Sequence, residues 1–294
     1  MKVLVATEKP FAAAAVNGIR EIVEGAGHEL ALLEKYTEKA QLLEAVADAD
    51  ALIVRSDKVT ADVIEAAKQL KVVVRAGAGY DNLDLAACTA RGIVAENTPG
   101  QNSNAVAELA LGLMIYMSRN QFNPGTGCEL SGKTIGVIGL GAIGGMVANA
   151  AKSLGMKVVG YDPFLSVMGA LHLSRDVKLV DNYEEIFKTC DFISLHVPAT
   201  KDTKGFINEK AFSVMKDGVK ILNFSRDILV NDDDMLEALA SGKVAKYVTD
   251  FPNVKIAGAN NVITLPHLGA STAESEDNCA IMAVKQTMDF IENG

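Results

Sequence analysis

The sequence predicts an α/β protein built from two doubly wound parallel-sheet domains with a cleft between them. Three features carry that reading. Short runs of Val, Ile and Leu alternate with amphipathic stretches along the chain, the rhythm of repeated strand–helix–strand units. The runs are continuously apolar, as strands buried on both faces of a parallel sheet are, and 49% of the residues are hydrophobic. The length, 294 residues, matches two domains of ordinary size.

Taken in order, strands are expected at 3–6, 30–33, 51–54, 72–75 and 93–95, with helical stretches between them such as 61–70. Thr98-Pro99-Gly100 is a turn signal that closes this unit. The Ala- and Leu-rich stretch 104–117 predicts a well-buried helix, and Asn123-Pro124-Gly125-Thr126-Gly127 breaks the chain after it. A second series of strands is expected at 134–138, 158–161, 192–197, 220–224, 247–249 and 262–265, followed by one final helix over 271–291.

Composition narrows the function. The formal net charge is −9 with no basic block, which argues against nucleic acid or an anionic membrane as partner. The four cysteines form no Cys-x-x-Cys and read as reduced thiols, hence a cytoplasmic protein. The four histidines lack ligand-like spacing, so no metal site is expected. The apolar run at the N-terminus is too short for a signal peptide, and no segment has the length of a membrane span.

The most specific motif is Gly139-Leu140-Gly141-Ala142-Ile143-Gly144, between the strand 134–138 and a helix. In such a junction the first glycine permits the tight turn, the second lets the backbone approach a pyrophosphate, and the third lets helix and strand pack closely. The helix start, with Ala142 and Ile143, offers N–H groups and a positive dipole to phosphates. The next strand ends in Asp162, about 18 residues beyond Gly144, near the spacing of an acid that binds the adenosine ribose. Together these predict a Rossmann-like domain that binds NAD in preference to NADP, because Asp162 would repel a 2′-phosphate.

Three further segments fall where strands end, the usual ligand side of an open α/β sheet. Asn223-Phe224-Ser225-Arg226 offers a guanidinium fork for a carboxylate, or only a solvated turn arginine. Asp250, before Phe251-Pro252, can accept from a nicotinamide carboxamide or simply form a turn. His267, in Pro266-His267-Leu268-Gly269-Ala270, is a candidate acid/base or a structural histidine.

At this point the chain resembles the D-isomer-specific 2-hydroxyacid dehydrogenases over essentially its whole length. Val72-Val73-Val74-Arg75-Ala76-Gly77-Ala78-Gly79-Tyr80-Asp81 looks like the family's substrate loop, 97–108 like the start of its interdomain helix, and Leu195-His196-Val197-Pro198 with Thr203 like its adenine-side loop. The resemblance implies a split order, with 1–99 and 267–294 as the substrate-binding domain and 100–266 as the NAD-binding domain. It also implies roles. Arg226 orients the substrate and His267 moves the proton. Asp250 holds the nicotinamide, with Ser225, Gly269 and Ala270 beside the cofactor. The backbone of Gly77, Ala78 and Gly79 receives the substrate carboxylate. A homodimer is implied as well. Within the family the nearest branch oxidises 3-phospho-D-glycerate, and Arg55, Ser56 and Arg75 match its basic surroundings for the substrate phosphate. Lys255 is a further candidate substrate cation.

The family carries a glutamate soon after the Asp250 segment, paired with the catalytic histidine. Here 251–261 contains no carboxylate, and Lys255 is its only charge. Two alternatives therefore stand beside the leading one. The first is a reductase of glyoxylate, hydroxypyruvate or another 2-oxo acid. The second is an NAD(H)-sensing corepressor-like binding protein, against which Arg226 and His267 count, since binding alone needs neither.

Overall fold

The computed structural model describes residues 1–294 and divides into two compact units, 1–102 with 271–294, and 103–270. The divisions fall a few residues beyond the expected 99/100 and 266/267. The turn that carries His267 therefore goes with the second unit, because Asp250 holds it there by main-chain and carboxylate hydrogen bonds.

The first unit has a five-stranded parallel sheet of β1 (Lys2–Thr7), β2 (Glu29–Glu34), β3 (Ala51–Val54), β4 (Val72–Arg75) and β5 (Val94–Asn97), in the order β2-β1-β3-β4-β5. Helices α1 (Ala13–Gly25), α2 (Lys39–Ala45), α3 (Ala61–Ala66) and α4 (Leu85–Arg91) connect the strands. The period of two sends alternate residues of each strand to different cores. Leu4, Leu52, Val54 and Val73 pack with α2, α3 and α4, whereas Val3, Val5, Ile53 and Val74 pack with α1 and with the final helix, α11 (Ala273–Asn293). The chain thus returns to this unit to complete the cover of a sheet face that α1 covers only in part. The expected helix 61–70 is shorter than the pattern suggests. Arg91 donates to the carbonyls of Ile64 and Ala67 and so supplies a C-terminal cap at α3.

The second unit begins with α5 (Ser103–Ser118) and holds a seven-stranded parallel sheet in the order β12-β11-β10-β9-β6-β7-β8. The strands are β6 (Thr134–Ile138), β7 (Lys157–Tyr161), β8 (Lys178–Leu179), β9 (Phe192–Leu195), β10 (Val219–Asn223), β11 (Val244–Thr249) and β12 (Val262–Thr264). Helices α6 (Ala142–Ser153), α7 (Val167–His172), α8 (Tyr183–Thr189), α9 (Glu209–Val214) and α10 (Asp232–Ala240) lie between them. The edge strand β8 has no counterpart in the sequence reading, because Lys178 and Leu179 are both exposed and show no buried pattern. Gly136 in β6 makes room for α8, since a Cβ there would lie 2.1 Å from Ile186 Cγ2.

Each sheet has a topological switch point, where open α/β sheets place their ligands. It lies between β1 and β3 in the first unit and between β6 and β9 in the second. No helix is long and apolar enough to cross a membrane.

Candidate active site

In the second unit the glycine loop sits at the switch point. Gly139 follows β6 with φ +90°, a left-handed conformation that favours glycine. A Cβ on it would lie 2.4 Å from the carbonyl oxygen of His196, at the end of β9. Gly144 lies so close beneath the loop that a Cβ would come within 1.8 Å of the Gly139 carbonyl oxygen. Gly141 has only open space where its side chain would be, and no side chain caps the helix it begins. The result is an uncapped helix N-terminus behind a bare backbone, a cradle whose donor N–H groups suit a diphosphate.

Asp162 ends β7 and does two things. Its carboxylate accepts from Leu140 N–H at 2.8 Å and from Phe164 N–H at 2.9 Å, which ties the glycine loop to the following turn. Each carboxylate oxygen keeps acceptor capacity for a ribose hydroxyl. Across the switch point, His196 Nε2 lies 2.8 Å from Ser194 Oγ and its Nδ1 is buried without a partner. Burial pushes this imidazole down to about 4, so it is neutral near neutral pH. Val197 and Pro198 follow, and Thr203 shapes their loop by donating to the Pro198 carbonyl at 2.6 Å.

At the end of β10, the fully buried Asn223 organises the segment that carries Arg226. Its Nδ2 donates to the Arg226 carbonyl at 2.8 Å and its Oδ1 accepts from Ser225 N–H at 3.1 Å. Ser225 Oγ donates to the Leu195 carbonyl at 2.9 Å, and Arg226 Nη1 donates to the Ser225 carbonyl at 2.7 Å. Asn223 was not among the expected site residues. Its signal, a polar residue at the end of an apolar strand, is shared with many turn formers.

Asp250, 2% exposed at the end of β11, holds the His267 turn. Its carboxylate accepts from Leu268 N–H and Gly269 N–H, each at 2.7 Å, and its carbonyl accepts from His267 N–H at 3.0 Å. Burial raises the Asp250 carboxyl, against the pull of those two N–H groups. A side chain at Gly269 would collide with this carboxylate, its Cβ 2.8 Å from Oδ2. His267 has φ +57°, a conformation rare for a non-glycine residue. Its ring lies 4.6 Å, centroid to centroid, from that of Phe251, and Arg226 Cζ lies 5.3 Å from the same phenyl centroid. Lys255 points its charge elsewhere, with its Nζ 2.9 and 3.0 Å from the two carboxylate oxygens of Asp233 on α10.

In the first unit Arg55 follows β3 at the switch point and Arg75 ends the neighbouring β4. Arg75 Nε donates to the Arg55 carbonyl at 3.1 Å. The Arg75 guanidinium lies where a side chain of Gly77 would be, 1.5 Å from the Cβ position, so a residue with a side chain there would displace it, and φ +150° also favours glycine. Arg55 Nη1 donates to the carbonyls of Pro10 and Lys9 at 3.0 and 3.3 Å, its Nη2 pairs with Glu276 at 2.7 Å, and Cζ lies 5.1 Å from the Phe11 ring centroid. Asp57, 5% exposed, is the hidden organiser. It accepts from Glu8 N–H, Tyr36 O–H and Arg55 N–H at 2.7, 2.8 and 3.2 Å, and so binds the ends of three strands. Asn97 Nδ2 donates to the Ala78 carbonyl at 2.7 Å and steadies the 77–79 loop, with the partly buried Gly79 next in line and Ser56 exposed beside Arg55.

The family model for the D-isomer specific 2-hydroxyacid dehydrogenase NAD binding domain matches residues 112–269, which contain the glycine loop, Asp162, Arg226, Asp250 and His267. The chain belongs to the D-isomer-specific 2-hydroxyacid dehydrogenases. It is an oxidoreductase and its cofactor is NAD. Among curated relatives it is 39% identical to a hydroxypyruvate reductase of Thermotoga maritima over 88% of this chain and 90% of that one. It is 41% identical to a D-3-phosphoglycerate dehydrogenase of Methanocaldococcus jannaschii, over 84% of this chain but 51% of that one, so it spans about half of that relative. Among solved structures it resembles an NAD⁺-bound 3-phosphoglycerate dehydrogenase of Entamoeba histolytica, with TM-score 0.91 and 41% identity, covering 100% of this chain and 96% of the other.

Proposed function

We propose that this dehydrogenase interconverts 3-phospho-D-glycerate and 3-phosphohydroxypyruvate, the oxidation that commits carbon to serine synthesis. The observation that carries the reading is the pair of arginines at neighbouring strand ends of the first unit. Arg55 and Arg75 are joined through the Arg55 carbonyl at the switch point, in a chain whose net charge is −9. A doubly charged phosphate is the natural ligand for paired guanidinium groups in otherwise acidic surroundings. The related chains named as phosphoglycerate dehydrogenases support the same choice.

NAD, when bound, supplies the acceptor for the hydride leaving C2 of the hydroxy acid. The glycine loop and the α6 N-terminus would hold its diphosphate, Asp162 its ribose, and the Asp250 segment the region of its nicotinamide. Arg226 grips the substrate carboxylate and stabilises charge on the C2 oxygen as it becomes a carbonyl. His267 accepts the hydroxyl proton in that direction and returns it in reduction.

A second reading has an observation of its own. The Arg55 guanidinium is already engaged by Glu276 and two carbonyls, so an unphosphorylated 2-oxo acid such as hydroxypyruvate or glyoxylate would leave that pair intact. The test is oxidation of 3-phospho-D-glycerate by NAD, followed as NADH absorbance with 3-phosphohydroxypyruvate trapped by hydrazine. Turnover that depends on the phosphate group supports the proposal. Turnover of D-glycerate alone favours the second reading.

A further inference from the structure

We propose that Phe251 is a positioning residue that holds the imidazole of His267 and the guanidinium of Arg226 in their working relation. The inference rests on the reading of His267 as acid/base and Arg226 as substrate ligand. The ring of Phe251 touches both, 4.6 Å from the imidazole centroid at an interplanar angle of 50°, and 5.3 Å from Arg226 Cζ. The first is a tilted aromatic contact and the second falls within cation–π range.

The phenyl ring is itself anchored. Phe251 N–H donates to Thr249 Oγ1 at 3.1 Å, and Pro252 fixes the backbone that follows. Its predecessor Asp250 accepts from the main-chain N–H groups of His267, Leu268 and Gly269, so the segment carrying Phe251 and the turn carrying His267 move as one piece. The main chain of His267 sits at φ +57°. The phenyl ring packed against the imidazole restricts the directions that the imidazole can take. Because the same ring meets Arg226, it also sets the spacing between the group that polarises the C2 oxygen and the group that moves its proton.

The test compares Phe251→Leu, Phe251→Tyr and His267→Asn in the full chain. Misplacing a reacting group by about 1 Å costs up to about a hundredfold in rate, so Phe251→Leu should lower kcat between roughly tenfold and a hundredfold. NADH affinity, read by fluorescence, should stay near that of the parent, which also shows that the variant is folded. Phe251→Tyr should recover most of the loss. A readout independent of turnover is the NMR signal of the His267 imidazole, assigned by its disappearance in His267→Asn. Loss of the phenyl ring current should shift it in Phe251→Leu and leave it nearly in place in Phe251→Tyr. If Phe251→Leu keeps its kcat while His267→Asn loses it, the positioning role is wrong and the acid/base assignment survives. If Phe251→Leu loses kcat but the imidazole signal does not move, or tyrosine does not rescue, Phe251 is merely structural and the inference is overturned. If His267→Asn keeps full kcat, the acid/base assignment fails and the inference fails with it.

Discussion

Gly144→Ala and Gly141→Ala separate the two jobs of the glycine loop. At Gly144 the added methyl would sit 1.8 Å from the Gly139 carbonyl oxygen, 2.9 Å from its carbon and 3.3 Å from Val137 Cγ1. The nearest obstacle is backbone, which no rotamer change can move, so α6 must withdraw from β6 by about 1 Å or more. Overpacking of this kind costs about 1–3 kcal/mol, and a backbone clash belongs at the upper end. Alanine returns about 1 kcal/mol through helix propensity, so the net loss is about 2 kcal/mol. For a protein of this size that lowers Tm by roughly 4–8 °C. At Gly141 the methyl meets nothing within 4 Å and φ is −66°, so stability suffers only from a poorer N-cap, less than about 1 kcal/mol. That methyl would lie in the approach proposed for the diphosphate, so NADH affinity should fall at least tenfold. Thermal unfolding without cofactor and NADH fluorescence titration read the two effects. A Gly144→Ala protein as stable as the parent, or a Gly141→Ala protein with unchanged NADH affinity, refutes this account of the loop.

Asp162→Ala should narrow the preference for NAD over NADP and also lower apo stability, because its carboxylate holds Leu140 N–H and Phe164 N–H; hydrogen bonds to a charged group are worth about 1.5–3 kcal/mol each. Cofactor titrations that retain the parent's preference would remove Asp162 from ribose selection. Arg55→Ala should raise KM for 3-phosphohydroxypyruvate by at least about tenfold and leave hydroxypyruvate nearly unaffected. Glu276→Gln, which frees the Arg55 Nη2 fork, should lower the first KM. Equal losses on both substrates in Arg55→Ala would assign that residue to the fold. Asp191 tests the acid side of stability. Burial works to raise its carboxyl, but the Thr134 N–H and the Lys216 ammonium outweigh burial and leave it lowered in the folded protein. Its contribution is therefore present above the unfolded value near about 3.9 and is lost as pH falls through the lower folded value. Asp191→Asn should lower Tm at neutral pH and flatten the decline below about pH 4; an unchanged acid limb would contradict that.

Much of this architecture was legible because parallel strands buried on both faces carry a strong apolar signal. Expected spans such as 51–54 and 72–75 coincide with β3 and β4, and the glycine loop falls at a switch point. What escaped the sequence has a physical pattern. Strand β8 is two exposed residues at an edge, with nothing buried to mark it. The early end of α3 depends on Arg91, which lies 27 positions from Ile64. The organising roles of Asn223 and Asp57 are long-range hydrogen bonds, which no local period encodes. The Phe251 contacts join segments that the topology alone brings together, since the missing carboxylate was visible in the sequence and its aromatic neighbour looked like an ordinary apolar residue. The partners of Lys255 and Arg55, Asp233 and Glu276, were equally hidden, and they bear directly on which cations remain to meet a substrate.

The measurement closest to the central claim is the ratio of kcat/KM for 3-phosphohydroxypyruvate to that for hydroxypyruvate, with NADH, at one pH and ionic strength. Charge-assisted contacts from Arg55 and Arg75 to a phosphate should make that ratio about ten or greater. A ratio of one or below would contradict the phosphate assignment and leave an NAD-dependent 2-hydroxyacid dehydrogenase whose arginine pair serves the first unit's own structure.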